Sequence, residues 1–92
     1  MLERNLERKV VAYCKANGIL CYKFTSPAHR GVPDRLLIKN GKVLFLELKK
    51  KGEEPTRLQY HEIQKLRSEG MVAEWTDNYR QAIDIISEHF AA

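Results

Sequence analysis

"GVPDRLLIKNGKVLFLELKKK", Gly31 to Lys51, decides the fold. Asn40-Gly41 stands between two apolar runs, which is the strongest short-range signal for a β-hairpin. A two-residue turn there pairs Lys39 with Lys42 and brings Asp34 opposite Glu47. Alternation then places Leu36, Ile38, Val43, Phe45 and Lys49 on the face that carries the two acids. Leu37, Leu44, Leu46 and Leu48 take the other face. Both faces are apolar, so the reading expects cover on both sides. Directly opposed residues have Cβ atoms about 4.5–5.5 Å apart, and like charges at that spacing repel. Asp34 and Glu47 therefore need a positive partner.

The flanking segments supply the remaining elements. Leu6, Val10 and Cys14 recur at helical spacing, with Val11 beside them, and predict a helix over Leu2–Asn17 that Gly18 ends. Ile19–Thr25 reads as a strand, with Tyr22 and Phe24 favouring it. "SPAHRGVP" is a loop of turn formers, and the segment "TSPAHRG" is expected to be mobile and to order on a ligand. "KKGEE" is a solvated loop. Pro55 opens a second helix that runs to about Glu69, before Gly70. Met71–Thr76 predicts a short strand. Asp77 or Asn78 caps a final helix striped by Ala82, Ile83, Ile86 and Phe90. The order α-β-β-β-α-β-α implies an α/β fold, a mixed sheet with helices on both faces.

Ninety-two residues fit one compact domain, 1–92, with one core. Sixteen Lys and Arg against 12 Asp and Glu leave a formal charge of +4, which suits a polyanion but equally an ordinary solvated surface. No apolar run is long enough to span a membrane, and "MLERNLERK" does not read as a secretory signal. Cys14 and Cys21 read as core thiols of a reducing compartment, so a cytoplasmic setting is expected.

The charged end of the hairpin carries the chemistry. One reading is a rim salt bridge in which Lys49 neutralises both acids. The other is a divalent cation, since Mg²⁺ is held by one or two carboxylates plus phosphate and water. Glu3 and Glu7, one helical turn apart, offer further carboxylates, Glu7 lying beside the buried stripe. Gln59 shares a stripe with Ile63 and Leu66 and faces inward. It is either a satisfied amide at the helix rim or a group that orients a water or an acid. Trp75 reads as core. His29, His61 and His89 are too dispersed for zinc, and His89 suits a helix C-terminus.

"GVPD", then the hairpin, then "FLELKKK" and "PTRLQ" together resemble the virus-type replication-repair nuclease domain, VRR-NUC, of the PD-(D/E)XK nuclease superfamily. The pattern is Pro33-Asp34 followed by Glu47-Leu48-Lys49, and the likeness extends from Glu3 to about Thr76. It implies a restriction-endonuclease-like α-β-β-β-α-β core. It further implies that Asp34, Glu47 and the Leu48 carbonyl bind catalytic Mg²⁺ or Mn²⁺. Lys49 would position the attacking water and stabilise the transition state. Glu7 would be the helix acid, with Glu3 competing for that place, and Gln59 the late glutamine. The substrate implied is DNA, branched DNA such as a Holliday junction, cut by a homodimer with no organic cofactor. His29, Arg30, Lys50, Lys51 and Arg57 would hold the DNA backbone, with a salt dependence to match. The alternatives are a non-catalytic nucleic-acid-binding module of the same fold, and a nuclease subunit that depends on a partner for recognition.

Overall fold

The computed structural model describes residues 4–91. Its elements run α1 (Arg4–Ala16), β1 (Leu20–Lys23), β2 (Arg35–Lys39), β3 (Lys42–Leu48), α2 (Arg57–Ser68), β4 (Val72–Thr76) and α3 (Tyr79–Phe90). Leu2 and Glu3, where the sequence reading begins its first helix, lie outside the described residues.

The hairpin sets the register of everything else. Asn40 and Gly41 have φ of 50° and 78°, the left-handed pair that a tight hairpin turn requires. Lys39 pairs with Lys42, Leu37 with Leu44, and Arg35 with Leu46, the register expected from the two-residue turn. β1 adds antiparallel to β2, and β4 adds parallel to β3, giving the sheet order β1-β2-β3-β4. The parallel step needs a crossover, and α2 provides it.

One face forms the core. Leu37, Leu44, Leu46 and Leu48 meet Leu6, Val10 and Cys14 of α1 and Ala82 and Ile86 of α3. α1 ends as its sequence demands. Gly18 takes φ of 69°, and the Ile19 amide reaches back to the Cys14 carbonyl at 2.8 Å, closing the last turn. His89 lies in the last turn of α3, as expected of it. Its Nε2 lies 2.9 Å from the Val43 carbonyl and ties α3 to the sheet.

The second face is only partly covered. α2 lies over the β4 side, where Ile63 and Ala73 are buried. Over β1 and β2 that face stays open: Leu20 and Tyr22 are each about half exposed, at 52% and 53%, and their cross-strand partners Ile38 and Leu36 are half-buried. The start of α2 also differs in detail from the expectation. Pro55 is buried just outside the helix, and Thr56 is the cap, its hydroxyl accepting from the Gln59 amide. Asn78, rather than Asp77, caps α3. β1 ends at Lys23, but the ladder continues by one bond, Phe24 N–H to the Asp34 carbonyl at 2.7 Å.

Leu44→Ala removes a fully buried side chain between the sheet and both covering helices. It is expected to cost about 2–5 kcal/mol, measured as a lowered midpoint in urea denaturation.

Candidate active site

The site is built where β2 begins and β3 ends. Asp34 is the residue before β2, and Glu47 is the penultimate residue of β3. The hairpin register carries them to opposed positions, as the pairing of Arg35 with Leu46 one step inward requires. Glu47 is only 4% exposed, an uncommon state for a glutamate. Trp75 is its cross-strand neighbour on β4, and Tyr60 meets Trp75 edge-on with ring centroids 6.3 Å apart. Trp75 is thus a half-buried wall beside the acid rather than part of the core.

Burial first, and then the neighbouring Asp34, push the Glu47 carboxyl up to about 8 against a smaller opposing pull from Lys49. One oxygen of Glu47, Oε2, lies 3.4 Å from Gln59 Nε2 and 4.0 Å from Lys49 Nζ. The other, Oε1, is buried with no hydrogen-bond partner. A buried lone acceptor of this kind costs free energy unless something positive meets it.

Gln59 joins the parts. Its Nε2 donates to Glu47, while its Oε1 accepts from Lys49 Nζ at 3.2 Å and from the Thr56 amide at 2.8 Å. The last contact is half of a capping box, so the bonds that start α2 also fix this amide. Lys49 is largely buried, with 16% of its side chain exposed, and its amide donates to the Thr76 carbonyl at 2.9 Å. Gln59 is thus a satisfied cap residue whose amide also contacts Glu47.

Glu7 is placed elsewhere. Its Oε2 is 3.1 Å from Arg35 Nη2 and 4.0 Å from Lys23 Nζ. Arg35 alternates with Asp34 along β2 and so points to the α1 side of the sheet. The structure brings Asp34, Glu47, Lys49 and Gln59 together and leaves Glu7 in an ion pair behind them. Glu3 lies outside the described residues. Among the described residues, no group of three or more His, Cys, Asp and Glu side chains clusters as a metal cage would.

Of the residues expected to contact the DNA backbone, Arg30 and Lys51 on loops and Arg57 at the start of α2 are exposed, and Lys50 is half-buried. His29 is engaged otherwise. Its Nε2 is 2.9 Å from Glu62 Oε1, and Glu62 is a buried residue of α2. The loop before Asp34 thus contacts α2 through this pair. Glu62 was missed by the sequence reading. The available signal was its position three residues after Gln59, on the same inward stripe as Ile63.

The fold has counterparts among known proteins. A solved "VRR_NUC domain" matches with a TM-score of 0.85 at 24% identity, covering 96% of each chain. A "VRR_NUC domain protein" matches with a TM-score of 0.75, also at 24% identity, covering 97% of this chain and 88% of that one. This chain therefore shares the fold of these solved VRR_NUC domains. In sequence it is 46% identical over 61 residues to a protein named "Putative nuclease p44" from Acyrthosiphon pisum secondary endosymbiont phage 1. That alignment covers 65% of this chain and 66% of the phage protein, just under two thirds of its length. No family model matches the chain.

The raised Glu47 carboxyl makes stability depend on pH with a definite sign. The folded state holds this proton more tightly than the unfolded chain does, so ionisation destabilises the fold as pH rises from 4.5 to about 8. In metal-free protein, Glu47→Gln is expected to raise Tm at pH 8 and to leave it nearly unchanged at pH 4.5. Calorimetry at the two pH values checks this, with each kcal/mol relieved worth roughly 4–8 °C in a domain of this size.

Proposed function

We propose that this chain is a metal-dependent DNA endonuclease, with Mg²⁺ or Mn²⁺ held by Asp34, Glu47 and the Leu48 carbonyl. The observation that supports this best is the buried, unpartnered Oε1 of Glu47 beside Asp34. The donor set is all oxygen, which fits a hard divalent cation and no thiophilic one. Such a cation, when bound, lowers the pKa of water and polarises a phosphoryl oxygen.

The chain's own residues perform the rest. Asp34 and Glu47 supply the negative charge that holds the cation, and Glu47 gives up its proton to do so. Lys49 brings a fixed positive charge to the edge of the site, where the scissile phosphate becomes more negative in the transition state. Gln59 keeps that ammonium beside the acid by accepting from Lys49 while donating to Glu47. Tyr60 and Trp75 restrict water on the β4 side and strengthen each of these interactions. Arg30, Lys50, Lys51 and Arg57 offer cations for the flanking phosphates. Glu7 serves the α1 side by balancing Arg35 beneath Asp34.

The resemblance to VRR-NUC carries the further expectation of branched DNA and a homodimer. The open sheet face suits a second copy of the chain. Leu20, Tyr22, Leu36 and Ile38 form a continuous apolar surface there, and such surfaces on small domains mark interfaces. A two-fold pairing of that face would give two sites on one particle, as cutting both strands of a junction needs.

Two experiments test the reading. Asp34→Ala and Lys49→Ala are each expected to lower Mn²⁺-dependent cleavage of a labelled four-way junction at least about 100-fold, with Tm held within a few degrees. Undiminished cleavage in both would contradict the assignment, and cleavage in chelator would contradict the metal. Separately, Tyr22→Glu is expected to convert a dimer to a monomer in sedimentation equilibrium. A wild-type monomer at high concentration would remove the dimer from the account.

A further inference from the structure

α2 touches both halves of the candidate site, at residues one helical turn apart. Gln59 holds Glu47 and Lys49, which come from β3. Three residues on, Glu62 holds His29, which belongs to the loop that delivers Asp34. Residues at this spacing share a helix face. We infer that Glu62 is a positioning residue: through His29 and Gly31 it fixes the loop that sets Asp34 against Glu47.

The contacts are close and of two kinds. The first is polar. His29 Nε2 reaches Glu62 Oε1 at 2.9 Å, and Lys65 Nζ reaches Glu62 Oε2 at 3.5 Å, so both oxygens of a buried carboxylate are occupied. His29 holds the Glu62 carboxyl below its usual range, as an acid kept ionised by its partner should be. The second is steric. Gly31 has φ of 90°, and a Cβ there would lie 2.8 Å from Leu58 Cγ and 3.2 Å from both the Leu58 carbonyl oxygen and Glu62 Cγ. The loop backbone rests directly on α2, in a conformation that only glycine adopts readily.

The path from this contact to Asp34 is short. Val32 and the buried Pro33 separate Gly31 from Asp34, and Pro33 removes one backbone freedom. At the other end, the His29 amide donates to the Ser26 carbonyl at 3.0 Å, and Ala28 takes a positive φ of 63° to close that turn. An exposed loop that pays for such a conformation needs an anchor, and Glu62 is the buried charge on which it sits. His29 thus serves the loop, in place of the phosphate contact expected of it.

The inference rests on the proposed metal site, so its test reads the loop and the metal separately. Glu62→Ala, His29→Ala, Glu62→Gln and a control, Leu66→Ala, would be compared with wild type well below their unfolding temperatures. Leu66 lies on the same helix, half-buried and away from the loop, and controls for loosening of α2. Hydrogen exchange of the His29 amide reads the loop, and calorimetric Mn²⁺ titration reads the site. The expected result is faster exchange of the backbone amide at position 29 and about 10-fold weaker Mn²⁺ binding in Glu62→Ala and His29→Ala. Glu62→Gln, which still accepts from His29, should retain most of both, and Leu66→Ala should change neither. Unchanged exchange and affinity in the two alanine variants would overturn the inference, as would an equal loss in Leu66→Ala. If wild type binds no Mn²⁺, the metal reading falls, and the exchange comparison alone decides whether Glu62 anchors the loop.

Discussion

A carboxylate buried beside another carboxylate is the constraint on which the rest of this structure depends. Glu47 cannot easily ionise where it sits, because water is excluded and Asp34 stands opposite. A sheet optimised for stability alone would place an apolar residue there. The fold instead surrounds the pair with groups that tolerate or offset the charge. Lys49 approaches from the end of the same strand, Gln59 bridges acid and base, and one oxygen is left without a partner. Cost of this kind is the signature of a site arranged for a ligand rather than for the protein's own stability.

α2 is what makes the arrangement precise. It is at once the crossover between two parallel strands, the cover for half of a sheet face and the support for both sides of the site. Its first turn is closed by a capping box whose glutamine is also the bridge between Glu47 and Lys49. A bond that closes the first turn of α2 and the bond that holds Lys49 therefore share one acceptor, Gln59 Oε1. Its second turn receives the loop that leads to Asp34. Movement of this helix would displace acid, lysine and loop together.

Much of this was legible in the sequence because the information was local. Asn40-Gly41 determined the hairpin register, and the register placed Asp34 against Glu47 without any knowledge of the tertiary fold. Gly18 and Gly70 ended helices as glycine does, and the apolar stripes of α1 and α3 faced the core. Properties that depend on non-local partners were not legible. Glu7 looks as suitable a ligand as Glu47 until Arg35 is seen to hold it. His29 looks like a free cation until Glu62, 33 residues away, accepts from it. The "TSPAHRG" loop has the composition of a mobile segment, yet it lies on α2 because Gly31 permits an approach that no other residue would. The half-open second face was likewise hidden, since alternation reports which residues share a face and not how far a helix extends over it.

The central claim is that Asp34 and Glu47 together form a divalent metal site. Anomalous diffraction from a crystal soaked in Mn²⁺ above pH 8 tests it most directly. The account predicts one strong peak within coordination distance of an Asp34 oxygen and of Glu47 Oε1, absent from crystals of Glu47→Gln. Saturating Mn²⁺ with no peak between the two carboxylates, or a peak that survives the substitution, would contradict it.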